Sequence, residues 1–250
     1  MRLPGLHARC PGLSNVSKRT RPYLQHANLS TASYFPLSRA FESPYGDISK
    51  LAHTIDEMQL SCRDVSLIGA FSENHDNPRF PSRSDDMILA KNVIAFTILA
   101  GGIPIVYQGQ EQHFRGSGDG NDPYNREALW DSGYNQSHEL YGHISHLNNI
   151  RRTAIIEDAS FLSARPEVVF TDSHTIAIKR ANLFVILSNM GSRYGNTSTS
   201  IRSQYDPGSL AIEMFTCKEQ TVGVGGAIDV AIEDGLPKVF YPSARANFTC

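Results

Sequence analysis

Two kinds of hydrophobic pattern divide the chain. From about Tyr34 the apolar positions first follow a helical period, with Ile48, Leu51, Ile55 and Met58 repeating behind Asp47, a residue suited to capping a helix start. A short apolar run, Val65 to Phe71, then reads as a buried strand and passes directly into the polar stretch ENHDNPRF. Ser84, Asp85 and Asp86 open a second helix whose ridge is Leu89, Val93, Phe96 and Ala100, and Gly101-Gly102 closes it. A second apolar run, Ile103 to Tyr107, again ends in polar residues, QGQEQH. After a Gly/Asp/Asn-rich loop a third helix is predicted, capped at Ser137, with Leu140, Ile144 and Leu147 inward and Arg151 and Arg152 at its end. Short apolar strands alternating with helices are the pattern of parallel βαβ units.

After about Ala159 the period changes to two. Val168–Thr171, Thr175–Lys179, Leu183–Leu187, Ala211–Phe215 and Val239–Tyr241 alternate or run apolar between Gly, Asn, Asp and Pro turns, which predicts an antiparallel β-sandwich with its own core. The expected organisation is therefore a leader over 1–33, a βα portion over 34–158 and a sandwich over 159–250.

Composition narrows the classes. At 250 residues, 40% hydrophobic and 19% charged, the chain suits globular domains. A formal net charge of −2 offers nothing to a nucleic acid, and no apolar run has membrane-spanning length. The first 41 residues contain no Asp or Glu but several Arg and Lys, and no apolar signal-peptide core follows Met1. Sequons begin at Asn15, Asn28, Asn135, Asn196 and Asn247.

The candidate chemistry lies where the strands end, the place at which parallel α/β barrels build their sites. His75 beside Asp76 can hydrogen-bond adjacent sugar hydroxyls; taken alone, the ordinary reading is a structural turn in which Asp76 pairs with Arg79. His138, His143 and His146 share one predicted helix, but no cysteine or carboxylate stands ready to complete a metal site, and a solvated helix face is expected. Tyr107, Tyr124 and Trp130 stand at element ends, where core packing is the ordinary role and stacking on a sugar ring the alternative.

SENHDNPRF, LAKNVIAFTILAGGIPIVYQGQEQHF, NDPYNREALW and SGYNQSHELY, taken together, resemble the α-amylases of filamentous fungi, retaining glycoside hydrolases. The resemblance runs from about Tyr34 to the end. It implies an incomplete (β/α)₈ barrel, holding the last strands and helices, followed by an antiparallel sandwich. It implies cleavage of internal α-1,4-glucosidic bonds, α-glucan or malto-oligosaccharide as partner, secretion, and a monomer. By the same resemblance Asp76 is the carboxylate that stabilises the transition state, and His75, Asp122 and Arg126 bind substrate. A transglycosylating relative or a non-catalytic carbohydrate-binding remnant would share these motifs. The family's nucleophile and general acid belong to upstream motifs similar to DGLRID and GEVLDG, which residues 1–72 do not contain. Calcium is a family cofactor whose ligands are likewise upstream and are not recognisable here. The chain alone is therefore expected to be inactive. The resemblance also pairs Cys217 with Cys250; Cys62 matches a cysteine with an upstream partner, and a Cys10–Cys62 bridge stays open.

Overall fold

The computed structural model describes residues 37–43, 45–62, 64–116, 125–192 and 195–245. The expected leader, Asp122, Tyr124, Cys10 and Cys250 lie outside the described residues.

A helical turn over 37–41 leads into helix α1 (Ser49–Ser61), which turns Leu51, Ala52 and Ile55 inward. Asp47 serves the start as expected: its carboxylate accepts from the Ser49 backbone N–H at 3.1 Å. Cys62 ends the helix and is disulfide-bonded.

The two expected strands are much shorter than their apolar runs. Val65–Leu67 is a 3₁₀ turn capped by Asp64, and only Gly69–Ala70 (β1) is extended in a ladder. It pairs in parallel with Ile103–Pro104 (β2). Ile103 N–H bonds the Ile68 carbonyl and Ile105 N–H the Ala70 carbonyl, each at 2.8 Å, so Pro104, which has no N–H to give, sits between the two bonds without breaking the ladder. Between them runs α2 (Met87–Ala95), continued by a π-helical turn, Phe96–Ala100. Asp86 caps α2 by accepting from the N–H groups of Ile88 at 2.8 Å and Leu89 at 3.4 Å. Gly102 makes the return to β2 possible: φ is +64°, and a Cβ there would lie 2.2 Å from the Ile68 carbonyl oxygen.

Helix α3 (Glu139–Glu157) begins one residue later than expected. Asn135 Oδ1 takes the Ser137 N–H in a local turn, and His138 becomes the cap, its Nδ1 accepting from Leu140 N–H at 3.2 Å. Arg151 of α3 donates to the carbonyls of Ile98 at 2.8 Å and Gly102 at 3.0 Å, satisfying the open end of the preceding helix.

Beyond a 3₁₀ turn at Ala159–Leu162, eight strands follow among the described residues: β3 (Glu167–Thr171), β4 (Thr175–Arg180), β5 (Leu183–Ser188), β6 (Thr197–Arg202), β7 (Leu210–Glu213), β8 (Lys218–Thr221), β9 (Ala227–Ile232) and β10 (Lys238–Pro242). Six form an antiparallel sheet in the order β3-β4-β5-β10-β7-β8, and β6 pairs with β9 in a second sheet. Phe184, Ile186, Ala177 and Phe240 meet Ile201, Ile228, Val230 and Ile232 in the core between the sheets. The alternate residues Ile176, Ile178, Leu183, Val185 and Leu187 pack instead into the cluster formed by the helices. The expected self-contained sandwich core is thus half of the arrangement. The large sheet is covered on both faces, which is why all six residues of β5 are buried.

The expected solvated histidine face is also corrected. His143 and His146 stack on Phe215 beyond β7, with ring centroids 5.6 and 5.1 Å away. Their Nε2 atoms meet the carbonyls of Lys91 at 3.1 Å and Met214 at 2.8 Å; a carbonyl only accepts, so Nε2 carries the proton in each ring. Desolvation against these neighbours lowers the His143 pKa to about 4.

Candidate functional site

The polar turn after β1 is built on Asn74. Its Oδ1 accepts from the backbone N–H groups of Asp76 at 3.0 Å and Asn77 at 2.9 Å, folding the chain so that His75 and Asp76 stand out from it. His75 Nε2 lies 3.2 Å from Asp76 Oδ1, and both side chains are more than half exposed, at 59% and 68%. Arg126 reaches the same place from the loop after β2. One guanidinium nitrogen is 3.8 Å from Asp76 Oδ1, and Nε donates to the His75 carbonyl at 3.4 Å. Three of the four expected site residues are therefore together, and Asp122 lies outside the described residues.

Asp76 does not pair with Arg79. Arg79 is fully buried and points the other way, donating to Glu127 at 2.7 Å, Glu73 at 3.1 Å and the Gln108 carbonyl at 3.0 Å. Tyr107 and Phe114 offer ring faces 4.5 and 5.6 Å from the guanidinium carbon. Gly109 admits Phe114 to this position: its φ is +82°, and a Cβ there would be 2.3 Å from the ring. Burial pushes the Glu73 carboxyl up to about 7 against the opposing pull of Arg79. Glu73, the carboxylate nearest Asp76 in sequence, is thus a buried partner of Arg79 and does not face the open turn with Asp76.

Asn125 locks the two loops together. Its side-chain amide donates to the carbonyls of His75 at 2.8 Å and Asn77 at 2.9 Å, straddling Asp76, while Tyr107 Oη donates to the Asn125 carbonyl at 3.2 Å. It is fully buried. Neither this clamp nor the Arg79–Glu127 pair follows from periodicity, because the partners are 48 to 50 residues apart; the only sequence signal was the density of Asn, Asp and Arg in both loops. Tyr107, weighed as a core aromatic or a sugar platform, instead supports Arg79 and Asn125.

Calcium finds no such constellation here. Among the described residues no group of three or more His, Cys, Asp and Glu is placed to hold a metal, and no chemical step is assigned to one. Nor is any helix among them long and apolar enough to cross a membrane.

A parallel βα unit with a polar His–Asp–Arg group beyond its strand, followed by an antiparallel sandwich, is the class of an α/β-barrel portion with an appended β domain. The α-amylase catalytic-domain family matches residues 16–161 and α-amylase domain C matches residues 168–249. The chain belongs to the α-amylase family. It is 42% identical over 215 residues to "Alpha-amylase 1" of Schwanniomyces occidentalis, covering 84% of this chain and 41% of that protein. It is 43% identical over 233 residues to "Alpha-amylase 1" of Lipomyces kononenkoae, covering 90% and 37%. The solved structure of an α-amylase from Malbranchea cinnamomea superposes with a TM-score of 0.81 at 41% identity, over 85% of this chain and 45% of that one. The chain thus spans less than half the length of these relatives, and its fold is part of a (β/α)₈ barrel with the C-terminal sandwich.

Proposed function

We propose that the chain carries the part of an α-amylase cleft that grips the sugar in the transition state, for endo-hydrolysis of α-1,4-glucosidic bonds in starch. Asp76 is the transition-state stabiliser, and His75, Asp122 and Arg126 bind the substrate, a malto-oligosaccharide stretch of α-glucan. The observation that supports this reading is the convergence of His75, Asp76 and Arg126 from two loops beyond parallel strands, held from behind by Asn125. An exposed carboxylate beside an imidazole and a guanidinium offers acceptor and donors to neighbouring hydroxyls, and such bonds strengthen as an oxocarbenium-like centre develops.

Retaining hydrolysis also needs a nucleophile and an acid–base carboxyl about 5–5.5 Å apart. Residues 1–72 contain neither family motif, and Glu73 is committed to Arg79. The 250-residue chain therefore binds without cleaving. The relatives are fungal and yeast α-amylases, and the protein is proposed to be secreted and monomeric, like the family it resembles.

Binding is tested by titrating maltoheptaose against the chain while following the His75 ring proton by NMR. A saturable shift with a Kd on the order of 1 mM, lost in Asp76→Asn and in Arg126→Ala, is expected. An unshifted His75 signal at saturating sugar would remove the assignment.

A further inference from the structure

Trp130 offers a second place for the glucan. The expectation that it fills the core fails: Trp130 is 69% exposed, and Tyr134, four residues on, is 58% exposed. Leaving a tryptophan in water forfeits the stabilisation its burial would give, so the exposure is not a packing solution. Nor does it come from a slack loop. Leu129–Ser132 forms a 3₁₀ turn; Gly133 N–H bonds the Trp130 carbonyl at 3.0 Å, and Ser132 Oγ bonds the Leu129 carbonyl at 2.7 Å. The turn that follows is tied to the QGQEQH loop, because Gln112 donates to the Asn135 carbonyl at 3.1 Å. Tyr134 is held in left-handed backbone with φ of +54°, a conformation that costs free energy for a residue with a bulky side chain. The backbone is thus fixed while the two rings stay wet.

We infer that Trp130 and Tyr134 form an α-glucan-stacking platform continuous with the His75–Asp76–Arg126 site. The choice of ligand rests on the α-amylase reading; the place rests on the exposed rings. Four chain steps separate Arg126 from Trp130, a reach of at most about 14 Å, so one oligosaccharide can touch both. The ligand class follows from the surface. The C–H face of a glucose ring is apolar and slightly positive, complementary to the negative π face of indole and phenol. Asp131, Asn135 and Gln136, all exposed beside the rings, provide polar groups for the hydroxyls. Among the other exposed apolar side chains of the barrel portion, Leu60, Leu67, Ile103, Ile105, Val106 and Ile156 are aliphatic and present no flat face for a sugar, while the exposed rings of Tyr45 and Tyr141 stand singly, before α1 and on α3.

Trp130 is the chain's single tryptophan, so its emission reads this place alone. The intact chain, produced without N-glycans so that the Asn135 sequon is bare, is titrated with maltoheptaose, with cellohexaose as the β-linked control. Saturable blue-shifted emission with maltoheptaose is expected, with a much smaller change for cellohexaose. Tyr134→Ala should weaken the midpoint about 2- to 10-fold, the loss of one stacked ring. Trp130→Ala should weaken binding measured by calorimetry by a similar factor, and Trp130→Phe should restore part of it without a folding penalty. His75→Ala and Asp76→Asn remove the cleft end of the contact and should weaken the midpoint, while a saturable blue shift remains at high maltoheptaose, so failure of the cleft assignment stays distinct from failure of the platform. Three results would overturn the inference: no emission change at saturating maltoheptaose, an equal response to cellohexaose, or a blue shift that follows protein concentration without sugar, which would make the surface a contact between copies.

Discussion

The βα portion and the sandwich are built by the same chain to different degrees of closure. β1 and β2 contribute two residues each to a single parallel ladder, and around them Leu67, Ile103, Ile105 and Val106 remain 37–51% exposed. β5 runs six residues between two antiparallel partners, with every side chain buried. Both regions contain apolar runs of comparable length, yet β5 is paired along all six of its residues while β1 and β2 share a two-residue ladder, so strand length here follows the pairing available more than propensity. The regions are nevertheless stitched into one body. Asn92 of α2 donates to the carbonyls of Ile88 and Gly235 and accepts from Ser188 N–H; Asn189 donates to the carbonyls of Ala40 and Gly46. Phe161, in the connection, has Arg180 of β4 and Arg151 of α3 over its ring, at 4.3 and 5.4 Å.

The comparison is broken most severely in the sandwich core. Phe184→Ala should cost about 3–5 kcal/mol in urea unfolding, because the fully buried ring touches both Tyr205 and Phe240 and leaves a cavity that the paired strands cannot close. Ile105→Thr, on the half-open barrel side, should change stability by no more than about 0.5 kcal/mol while reducing aggregation seen by light scattering. A cost above that would mean the strand segments are covered by more than the described residues.

Arg79→Ala should follow, at about 3–5 kcal/mol near neutral pH, because it strands Glu73 in a buried site. Glu73 can escape by taking up a proton, and below about 7 it is protonated with or without Arg79, so the penalty should be level there and grow as pH rises above 7, where only the parent chain holds Arg79 beside the ionised carboxylate. A penalty that does not grow between about pH 7 and 9 would show that Glu73 is not the stranded group.

The joint between the regions sharpens the contrast at acid pH. The His143 pKa is lowered from 6.5 to about 4 by burial beneath Phe215, near Lys91, His146 and Glu139. The unfolded chain therefore binds the proton first, so His143 contributes full stability above about 6.5 and loses it as pH falls towards 4. Glu73 has the opposite sign, since its raised folded pKa favours the native state as pH falls from about 7. His143→Gln should flatten the acid limb of the stability profile by about 1–3 kcal/mol. An unchanged limb would place the acid sensitivity elsewhere.

Legibility differed in the same way. Elements with strong periods were readable: the Asp47 and Asp86 starts, the Leu89–Ala100 ridge, and five of the eight sandwich strands, β3, β4, β5, β7 and β10. β6, TSTSIR, and β8, KEQT, were not, since their polar side chains give a weak apolar signal; β9 alternates cleanly at Ile228, Val230 and Ile232 and was legible but missed. At the site, His75, Asp76 and Arg126 stand together as the motifs led one to expect and Asp122 lies outside the described residues, whereas the supports Asn125, Glu127 and Tyr107 depend on contacts between distant loops. The histidines on α3 misled because Phe215, which covers them, comes from a turn about 70 residues away. Cys217 is disulfide-bonded, while its expected partner Cys250 lies outside the described residues.

The central claim is that this chain holds sugar without the carboxylates that break the bond. The most direct test is release of reducing ends from soluble starch by the purified 250-residue chain, made in a host free of amylase and compared with buffer. The account predicts no release above buffer in a preparation whose maltoheptaose binding is intact. Starch hydrolysis by the same preparation, abolished by Asp76→Asn, would contradict it.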